Sequence, residues 1–299
     1  MEGSKLIEKN LEAVIRTAEL IGDFSPSDPE WHELRMRGIT GTDAGTILGV
    51  NPYASAYSLW AKKTGRVSGE VAQNARMRLG QLLEAPLLQM FAEQNPELTI
   101  YTGGTYRSKE HPFLIANPDA IAYDENGKLY IIEVKTARQY WDDIPPHYIA
   151  QVLHYADVFS ADEARLVALT GGDYREYEIT FEPEMLEAQR SAMYEFYELI
   201  QEDLEPQWDG SQSTYETVRE MQGSDMTEES VELGWLGVQL FNANHKFKEA
   251  EGELTKLKSA ALAQMGEAKY GVTTEGGESV LVCVKRSRNG GKPWLELKG

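Results

Sequence analysis

The chain of 299 residues has a formal net charge of −19, 41% apolar residues and a single cysteine, Cys283. The apolar fraction indicates a globular protein rather than a disordered one, and one cysteine excludes a disulfide framework or a multi-thiolate metal site within the chain. The acidic balance argues against indiscriminate binding to nucleic acid, although it leaves room for positive side chains that line one channel.

The N-terminal segment has no sign of targeting. Its first twenty residues contain scattered acids and no long apolar core, which does not fit a signal peptide. No apolar window reaches the about 18 residues that a membrane span needs, so we expect no membrane partner. The cysteine count fits a reducing compartment, which predicts a cytoplasmic location. Apolar spacing over residues 5–22 predicts a helix.

The next 70 residues or so read as further helices. Asp28 and Pro29 have the order of an N-cap followed by proline at the first helical position. Thr42 is predicted to cap a short helix that ends at Gly49, and Ser55 or Ser58 to begin one that runs to Gly65. Helical spacing returns over residues 70–93, where Pro86 indicates a kink or a restart.

The character then changes to short strands. Residues 99–107, 113–116, 119–123 and 129–135 are rich in β-formers and are separated by Gly, Pro, Asn and Asp. Helices at 146–159 and 183–204 enclose two more strands, at 164–169 and 175–179. Helices flanking a central run of strands predict a mixed α/β domain over residues 1–205.

The remainder is predicted to be a linker and a small C-terminal module. Residues 206–226 are polar and punctuated by Gly and Pro, which is typical of a linker. Residues 227–299 are predicted to form a long helix, from Thr227 to about Gly266, and a basic β-hairpin. The segment from Lys285 to Trp294 combines cations with an aromatic ring, which would suit DNA contact as well as an ordinary solvated turn.

One predicted hairpin, over residues 117–136, carries acids where a plain core hairpin would have none. Asn126-Gly127 is a strong turn signal between alternating strands. A three-residue loop at 125–127 pairs residues whose numbers sum to 252, which places Asp119 opposite Glu133. Because strand side chains alternate, Glu133 and Lys135 share one face.

Two facing carboxylates repel each other unless a cation lies between them. Mg²⁺ prefers oxygen ligands, uses one or two protein carboxylates and completes its shell with water and phosphate. A neighbouring lysine would orient water and offset charge on a phosphoryl transition state. The alternative is a surface hairpin whose Glu133 and Lys135 merely form an exposed ion pair.

Pro118-Asp119, thirteen intervening residues and then Glu133-Val134-Lys135 resemble the signature of the PD-(D/E)XK nucleases. The resemblance implies a restriction-endonuclease-like core, which is a central mixed β-sheet flanked by helices. It also implies that Asp119 and Glu133 hold Mg²⁺, for which Mn²⁺ can substitute, with help from the Val134 carbonyl. Lys135 would then serve the nucleophilic water.

Two further elements resemble the RecB and lambda exonuclease branch of these nucleases. Gln151 and Tyr155 match a Q-x-x-x-Y helix, and Gly80 and Glu84 match a G-x-x-x-E helix. The resemblance implies that Gln151 holds a phosphate or a DNA end, and that Glu84 approaches the metal from the opposite side. In isolation, either motif also fits the polar face of an amphipathic helix.

Residues 31–65 are the most distinctive stretch. Arg35 and Thr42 lie near a predicted helix start, where backbone N–H groups, a guanidinium and hydroxyls together favour an anion. Thr42 would also serve as a plain helix cap. The order W-H-x-L-R, I-T-x-[ST]-D and I-L-G-x-N-P resembles the YqaJ-type viral recombinase family, which includes the exonuclease of phage lambda.

This resemblance runs from Trp31 to about residue 204. It implies a phage-encoded, Mg²⁺-dependent 5′→3′ exonuclease, active in a bacterial host cell, in which Arg35, Thr42 and Gln151 grip the 5′-phosphate of double-stranded DNA ends. The 3′ single strand would pass to a phage annealing protein, and the family implies a ring-shaped homotrimer. Alternatives are a RecB-like or structure-specific endonuclease on single-stranded or branched DNA, and a non-catalytic binder of DNA ends. A binder would be expected to have lost an acid or the lysine.

Overall fold

The computed structural model describes residues 17–24, 28–68, 74–288 and 291–298. It contains two compact units, which meet in sequence between Asp225 and Met226. The described elements of the first unit are β1 (Ala18–Gly22), α1 (Pro29–Arg37), β2 (Ile39–Thr40), α2 (Gly41–Ile47), α3 (Ala56–Lys63), α4 (Ala75–Gln94), β3 (Thr99–Thr102), β4 (Thr105–Ser108), β5 (Leu114–Ala116), β6 (Ala120–Tyr123), β7 (Leu129–Ala137), α5 (Pro146–Phe159), β8 (Glu163–Thr170), β9 (Asp173–Ile179), α6 (Pro183–Gln201) and α7 (Gln212–Gln222).

A five-stranded mixed sheet forms the centre of this unit, in the order β3-β6-β7-β8-β9. Strands β7 and β8 run parallel and are joined through α5, whereas the other neighbouring pairs are antiparallel. A parallel pair needs such a crossover because the chain has to return to the end of the sheet where the first strand began, and a tight turn cannot span that distance. The predicted α/β core, with helices flanking a central mixed sheet, is confirmed.

The sheet separates two layers of apolar side chains. Ile132 and Val134 of β7 pack with Phe91 of α4 on one face. Leu129 and Ile131 pack on the other face, with α5 and α6. The alternation along β7 therefore directs Glu133 and Lys135 toward the α5 face, as the strand pattern predicts.

A second sheet, in the order β1-β4-β5-β2, corrects two predictions. Ala18–Gly22 is a strand paired antiparallel with β4, not the end of a helix, because a tertiary partner outweighs the local apolar spacing. The rest of the predicted helix, residues 5–16, lies outside the described residues. Residues 99–107 form two strands in different sheets, since Gly103 and Gly104 turn the chain at positive φ.

The short helix α2 begins two residues earlier than expected. Its N-cap is Thr40 rather than Thr42, because the Asp43 carboxylate accepts hydrogen bonds from both the backbone N–H and the hydroxyl of Thr40. Ser55 caps α3, and the bounds of α5 agree with the prediction. Residues 70–73 of the predicted fourth helix lie outside the described part, and α4 begins after the cap of Asn74.

The segment predicted as a linker, residues 206–226, contains helix α7. Its N-cap Ser211 accepts a hydrogen bond from the Thr214 N–H at 3.1 Å, and the Thr214 hydroxyl donates to Ser55 Oγ at 2.8 Å. Thr214 and Thr217 are buried. The linker prediction is wrong over this helix because packing against α3 stabilises a sequence whose polarity alone suggests a loop.

The second unit contains a long helix, α8 (Trp235–Met265), and a sheet of three antiparallel strands, β10 (Tyr270–Glu275), β11 (Glu278–Arg286) and β12 (Trp294–Leu297). The helix begins later than the predicted Thr227, since Gly234 has a φ of 55° and interrupts the helical backbone. Cys283 and Val284 are buried, and the Cys283 thiol contacts Met265 Sδ at 3.7 Å. Among the described residues, no helix is long and apolar enough to cross a bilayer.

The contact between α2 and α5 predicts the effect of a substitution. A Cβ at Gly45 would lie 2.8 Å from His147 Cβ and 3.0 Å from His147 Cα, which is closer than atoms in a packed interface can approach. Gly45→Ala is therefore expected to destabilise the protein by about 1–3 kcal/mol in urea unfolding, the usual cost of overpacking. Gly80→Ala in α4 is the matched control, because its Cβ would meet only Thr136 Oγ1, at 3.4 Å. Equal stability of the two variants would contradict the described packing.

Candidate active site

The two strands of the central hairpin bring Asp119 and Glu133 together. Each recorded pair between β6 and β7 sums to 252, so the predicted register is confirmed and Asp119 stands opposite Glu133. The Asp119 Oδ2 atom accepts a hydrogen bond from the Val134 N–H at 2.7 Å. This bond holds the carboxylate against β7.

Glu133 is the most deeply buried member of the group, with 2% of its surface exposed. Its Oε1 atom accepts hydrogen bonds from the Lys135 ammonium and, at 2.7 Å, from Gln151 Nε2. Gln151 also donates to the Tyr155 hydroxyl at 3.0 Å. The other carboxylate oxygen, Oε2, is buried without a hydrogen-bond partner among the described residues.

A cavity of about 380 Å³ opens in front of these side chains. It contains most of the residues that the sequence singles out, and Glu133 lies behind Lys135 and Gln151. The lining residues are Thr42, Arg76, Met77, Gly80, Glu84, Asp119, Val134, Lys135, Thr136, Tyr148 and Gln151. The fold therefore gathers residues from α2, α4, α5 and the central hairpin around one space.

Burial and mutual repulsion oppose ionisation of the acids in this group. Burial, then the charge of Asp119, raises the pKa of Glu84 to about 7. Burial and Asp119 also raise the pKa of Glu133, and burial raises that of Asp119. Burial alone would lower the pKa of Lys135, but Glu133 and Asp119 raise it, so the side chain is an ammonium. A second cation beside the carboxylates would relieve their repulsion.

The donor set suits a hard divalent ion bound mostly through water. In the described part of the chain, no three His, Cys, Asp or Glu side chains converge as a complete metal centre. Mg²⁺ needs only one or two carboxylates when water and phosphate supply the remaining oxygens. The unpartnered Glu133 Oε2 and the repelling acids are the features that such an ion would satisfy.

A cationic group lies on the α1 and α2 side of the cavity. Arg35 Nη2 donates to Thr42 Oγ1 at 2.6 Å, and its guanidinium lies 4.5 Å from the centre of the Trp31 ring. Thr42 and Thr40 hydroxyls are 3.1 Å apart. Because Thr42 lines the cavity, Arg35 adjoins it through this hydroxyl.

Lys63 holds this corner of the fold together. Its ammonium donates to the carbonyls of Arg35 and Gly38 at 2.6 and 2.7 Å, and pairs with the Asp43 carboxylate at 2.8 Å. Burial alone would raise the pKa of Asp43, but the charges of Lys63 and Arg35 lower it. The ion pair is buried on both sides, so losing one partner would strand a charge.

Sequence reasoning missed three residues of this site. Arg76 and Tyr148 line the cavity, and the Tyr148 ring centre lies 5.2 Å from Lys135 Nζ. Lys63 fixes the backbone that carries Arg35. Tyr148 lies three residues before Gln151 on α5, so helical spacing could have placed it on the same face as Gln151. Nothing in the local sequence distinguishes Arg76 or Lys63 from surface cations.

Part of the chain is similar to a known protein family. Residues 30–164 match the family model of the YqaJ-like viral recombinase domain. The uncharacterized protein YqaJ of Bacillus subtilis (strain 168) is 26% identical over 280 residues, which span 89% of this chain and 85% of that protein. The resemblance to the YqaJ-type viral recombinase family is confirmed, over the residues that match its model.

Solved structures extend the comparison to the fold. The alkaline exonuclease LHK-Exo from Laribacter hongkongensis matches with a TM-score of 0.49, and LHK-Exo in complex with dAMP with a TM-score of 0.50. Each is 16% identical, and each match covers 59% of this chain and 94% of the other. At that identity, the likeness to the dAMP complex is one of fold.

The raised pKa of Glu84 predicts a pH-dependent effect on stability. The group titrates near 4.5 in an open chain and near 7 in the folded one, so the folded state holds the proton more tightly. Stability of the wild-type protein therefore falls as pH rises through this window, and the loss is complete above it. In chelator, Glu84→Gln is expected to raise the melting temperature at pH 8 and to change it little at pH 4.5.

The matched control for this experiment is Glu93→Gln, an exposed acid on the same helix. Its melting temperature, relative to wild type, is expected to be the same at both pH values. A Glu84→Gln variant that is no more stable than wild type at pH 8 would contradict the repulsion described between Glu84 and Asp119.

Proposed function

We propose that this chain is a metal-dependent deoxyribonuclease that digests one strand of linear double-stranded DNA from its 5′ end. The observation that carries the proposal is the single cavity that holds Asp119, Glu84 and Lys135 beside Thr42 and Gln151. The acids and the ammonium suit hydrolysis of a phosphodiester. Hydroxyl and amide groups in the same cavity, with the Arg35 guanidinium beside Thr42, suit a terminal phosphate.

The family and fold comparisons point in the same direction. A viral recombinase domain acts in DNA recombination, and the fold is similar to that of an exonuclease solved with dAMP, a deoxynucleoside monophosphate. An exonuclease that removes nucleotides one at a time releases such monophosphates. Digestion of one strand would leave a 3′ single strand, which is the substrate of a phage annealing protein.

Asp119 and Glu133, with the Val134 carbonyl, would hold Mg²⁺, or Mn²⁺ in its place, and Glu84 would approach the ion from the opposite side through bound water. When bound, such an ion lowers the pKa of water and neutralises charge on phosphate oxygens. Lys135 orients the attacking water and offsets the negative charge on the phosphoryl oxygens in the transition state. Gln151 donates a hydrogen bond to Glu133 Oε1, the atom that also accepts from Lys135, and so helps to fix both side chains in position.

Arg35 and Thr42 would hold the 5′-phosphate of the strand being digested. The hydrogen bond between them fixes the guanidinium beside the cavity, and Trp31 packs over its face. A fixed fork of N–H groups is well suited to phosphate oxygens. Holding the end phosphate positions the first phosphodiester near Lys135, which would make the reaction depend on a DNA end.

The reaction is tested with linear and closed circular duplex DNA in the presence of Mg²⁺. We expect wild-type protein to release mononucleotides from the linear DNA and to leave the circle intact. Asp119→Asn and Lys135→Ala are expected to lower the rate by about 100-fold or more, since each removes charge from the reacting centre. Asp124→Asn and Lys128→Ala, from the turn of the same hairpin, are matched controls that should keep the activity.

Cleavage of the circle would instead support a structure-specific or RecB-like endonuclease. Unchanged activity in Asp119→Asn and Lys135→Ala would reject the proposed site. Binding to DNA ends without any hydrolysis, with Mg²⁺ or Mn²⁺ present, would support the non-catalytic alternative.

The 5′-phosphate pocket is tested separately, with linear duplexes that end in 5′-phosphate or 5′-hydroxyl. A charge-assisted hydrogen bond contributes about 1.5–3 kcal/mol, so Arg35→Ala is expected to slow digestion of phosphorylated ends by roughly 10- to 100-fold. Hydroxyl ends should be digested by the variant at the wild-type rate.

Arg37→Ala is the matched control, because Arg37 lies on the same helix with 78% of its side chain exposed and pairs with Glu33. Its preference for phosphorylated ends should remain. Equal slowing on both kinds of end in Arg35→Ala would assign Arg35 a structural role only.

A further inference from the structure

Two of the described residues that line the cavity are cations, Lys135 and Arg76. Lys135 donates to the Glu133 carboxylate, and Arg35 beside the cavity donates to Thr42. The Arg76 guanidinium, in contrast, has no hydrogen bond, ion pair or aromatic contact with any described residue. Its charge is therefore free to meet a ligand in the cavity.

The first turn of helix α4 fixes the position of Arg76. Asn74 Oδ1 accepts hydrogen bonds from the backbone N–H groups of Arg76 and Met77, each at 3.0 Å. Arg76, Gly80 and Glu84 follow each other in steps of four residues, so they share one face of α4. All three line the cavity. This face therefore presents a cation, a residue without a side chain and an acid in a row.

Gly80 leaves space between the two charged side chains. A Cβ at this position would meet only Thr136 Oγ1, at 3.4 Å. The rise of an α-helix places Arg76 and Glu84 about 12 Å apart along the axis, which is beyond the spacing at which side chains of one helix pair. The backbone of a bound strand has space to lie against α4 between them.

Arg76 does not act as a counterion for the acids of the site. Burial and the charge of Asp119 raise the pKa of Glu84, and Lys135 opposes that rise. Arg76 is not among the groups that shift this pKa. A guanidinium that is not used by the acids suits an anion from outside, and its planar fork of N–H groups fits phosphate oxygens.

The substrate contains one more phosphate than the proposed function has assigned. The 5′-terminal nucleotide of a strand adjoins two phosphates, the terminal one and the scissile one. Arg35, Thr42 and Gln151 are proposed to hold the first, and Lys135 to act on the second. A third phosphate of that strand lies on the 3′ side of the scissile bond. A cavity of about 380 Å³ is small for a ligand site, which leaves little room for the complementary strand.

We propose that Arg76 binds the first phosphodiester on the 3′ side of the scissile bond, on the strand being digested. This inference rests on the proposed exonuclease function and adds one contact to it. With the terminal phosphate held at Thr42 and the third phosphate held at Arg76, the scissile bond is fixed from both sides. Fixing the reacting group in this way lowers the entropic part of the barrier.

The contact is tested with a linear duplex that carries one uncharged methylphosphonate, between the second and third nucleotides of the digested strand. Release of the first nucleotide is measured in a single turnover with Mg²⁺, at subsaturating protein. Wild-type protein on the modified duplex and Arg76→Ala on the unmodified one are each expected to be slowed roughly 10- to 100-fold, since each lacks one charge-assisted hydrogen bond. The modified duplex should slow Arg76→Ala little further, because the contact is already absent.

Arg78→Ala is the matched control, because Arg78 is exposed on the same helix and does not line the cavity. It should digest the unmodified duplex at the wild-type rate and remain sensitive to the methylphosphonate. A methylphosphonate between the fifth and sixth nucleotides should leave the wild-type rate unchanged. Arg76→Ala should keep the wild-type melting temperature, since the side chain contacts no described residue.

Equal slowing of wild type and Arg76→Ala by the methylphosphonate would overturn the proposal. So would a wild-type rate that falls only when the methylphosphonate is moved to the complementary strand, because the third phosphate would then belong to that strand.

Failure of wild-type protein to digest either duplex would reject the proposed function, and binding then tests Arg76 by itself. Fluorescence anisotropy of a labelled linear duplex in chelator gives the affinity at several salt concentrations. The slope of log affinity against log salt should be shallower by about one in Arg76→Ala than in wild type or Arg78→Ala. An unchanged slope in Arg76→Ala, or no binding by the wild-type protein, would overturn the contact.

Discussion

Glu133 and Lys135 lie two residues apart within the central strand β7, and both charged side chains are largely removed from water. Moving either ion alone into a protein interior costs several kcal/mol, which only a close partner and further hydrogen bonds offset. Gln151 supplies one such bond from α5. The hydrogen bond from Gln151 to Glu133 therefore connects the packing of α5 against the sheet to the buried ion pair of β7. The core and the site constrain each other through this contact.

A second buried ion pair, Lys63 with Asp43, fixes the segments that carry Arg35 and Thr42, the proposed phosphate-binding residues. Asp43 caps α2 through Thr40, and Lys63 binds the carbonyl of Arg35. One ion pair thus links the end of α1, the start of α2 and the end of α3. The guanidinium of Arg35 is held by backbone geometry as well as by its own bond to Thr42, which favours a preformed pocket over one assembled on binding.

The sequence predicts the hairpin of Asp119 and Glu133 well because its geometry is local: the Asn126-Gly127 turn and strand alternation suffice. It predicts the cap of α2 wrongly, although Asp43 stands three residues after Thr40 and only Gly45 stands three after Thr42, so the capping box could be recognised from the sequence.

Elements that depend on distant partners cannot be predicted in this way. Strand β1 needs β4, and α7 needs α3, and no local pattern states either pairing. The convergence of Thr42, Glu84 and Gln151 likewise follows from the family resemblance and the fold, not from spacing along the chain.

The net charge of −19 restricts how such a chain can hold DNA. Two of the cations near the cavity are already matched, since Lys63 pairs with Asp43 and Lys135 with Glu133. A chain with this net charge repels the phosphates of a long duplex, so attraction depends on local groups of cations such as Arg35 and Arg76 beside the cavity. A duplex end offers a terminal phosphate to that small region, whereas the middle of a duplex offers a long charged backbone to the acidic surface. A small group of cations beside the cavity would therefore suit a duplex end, as the proposed exonuclease requires.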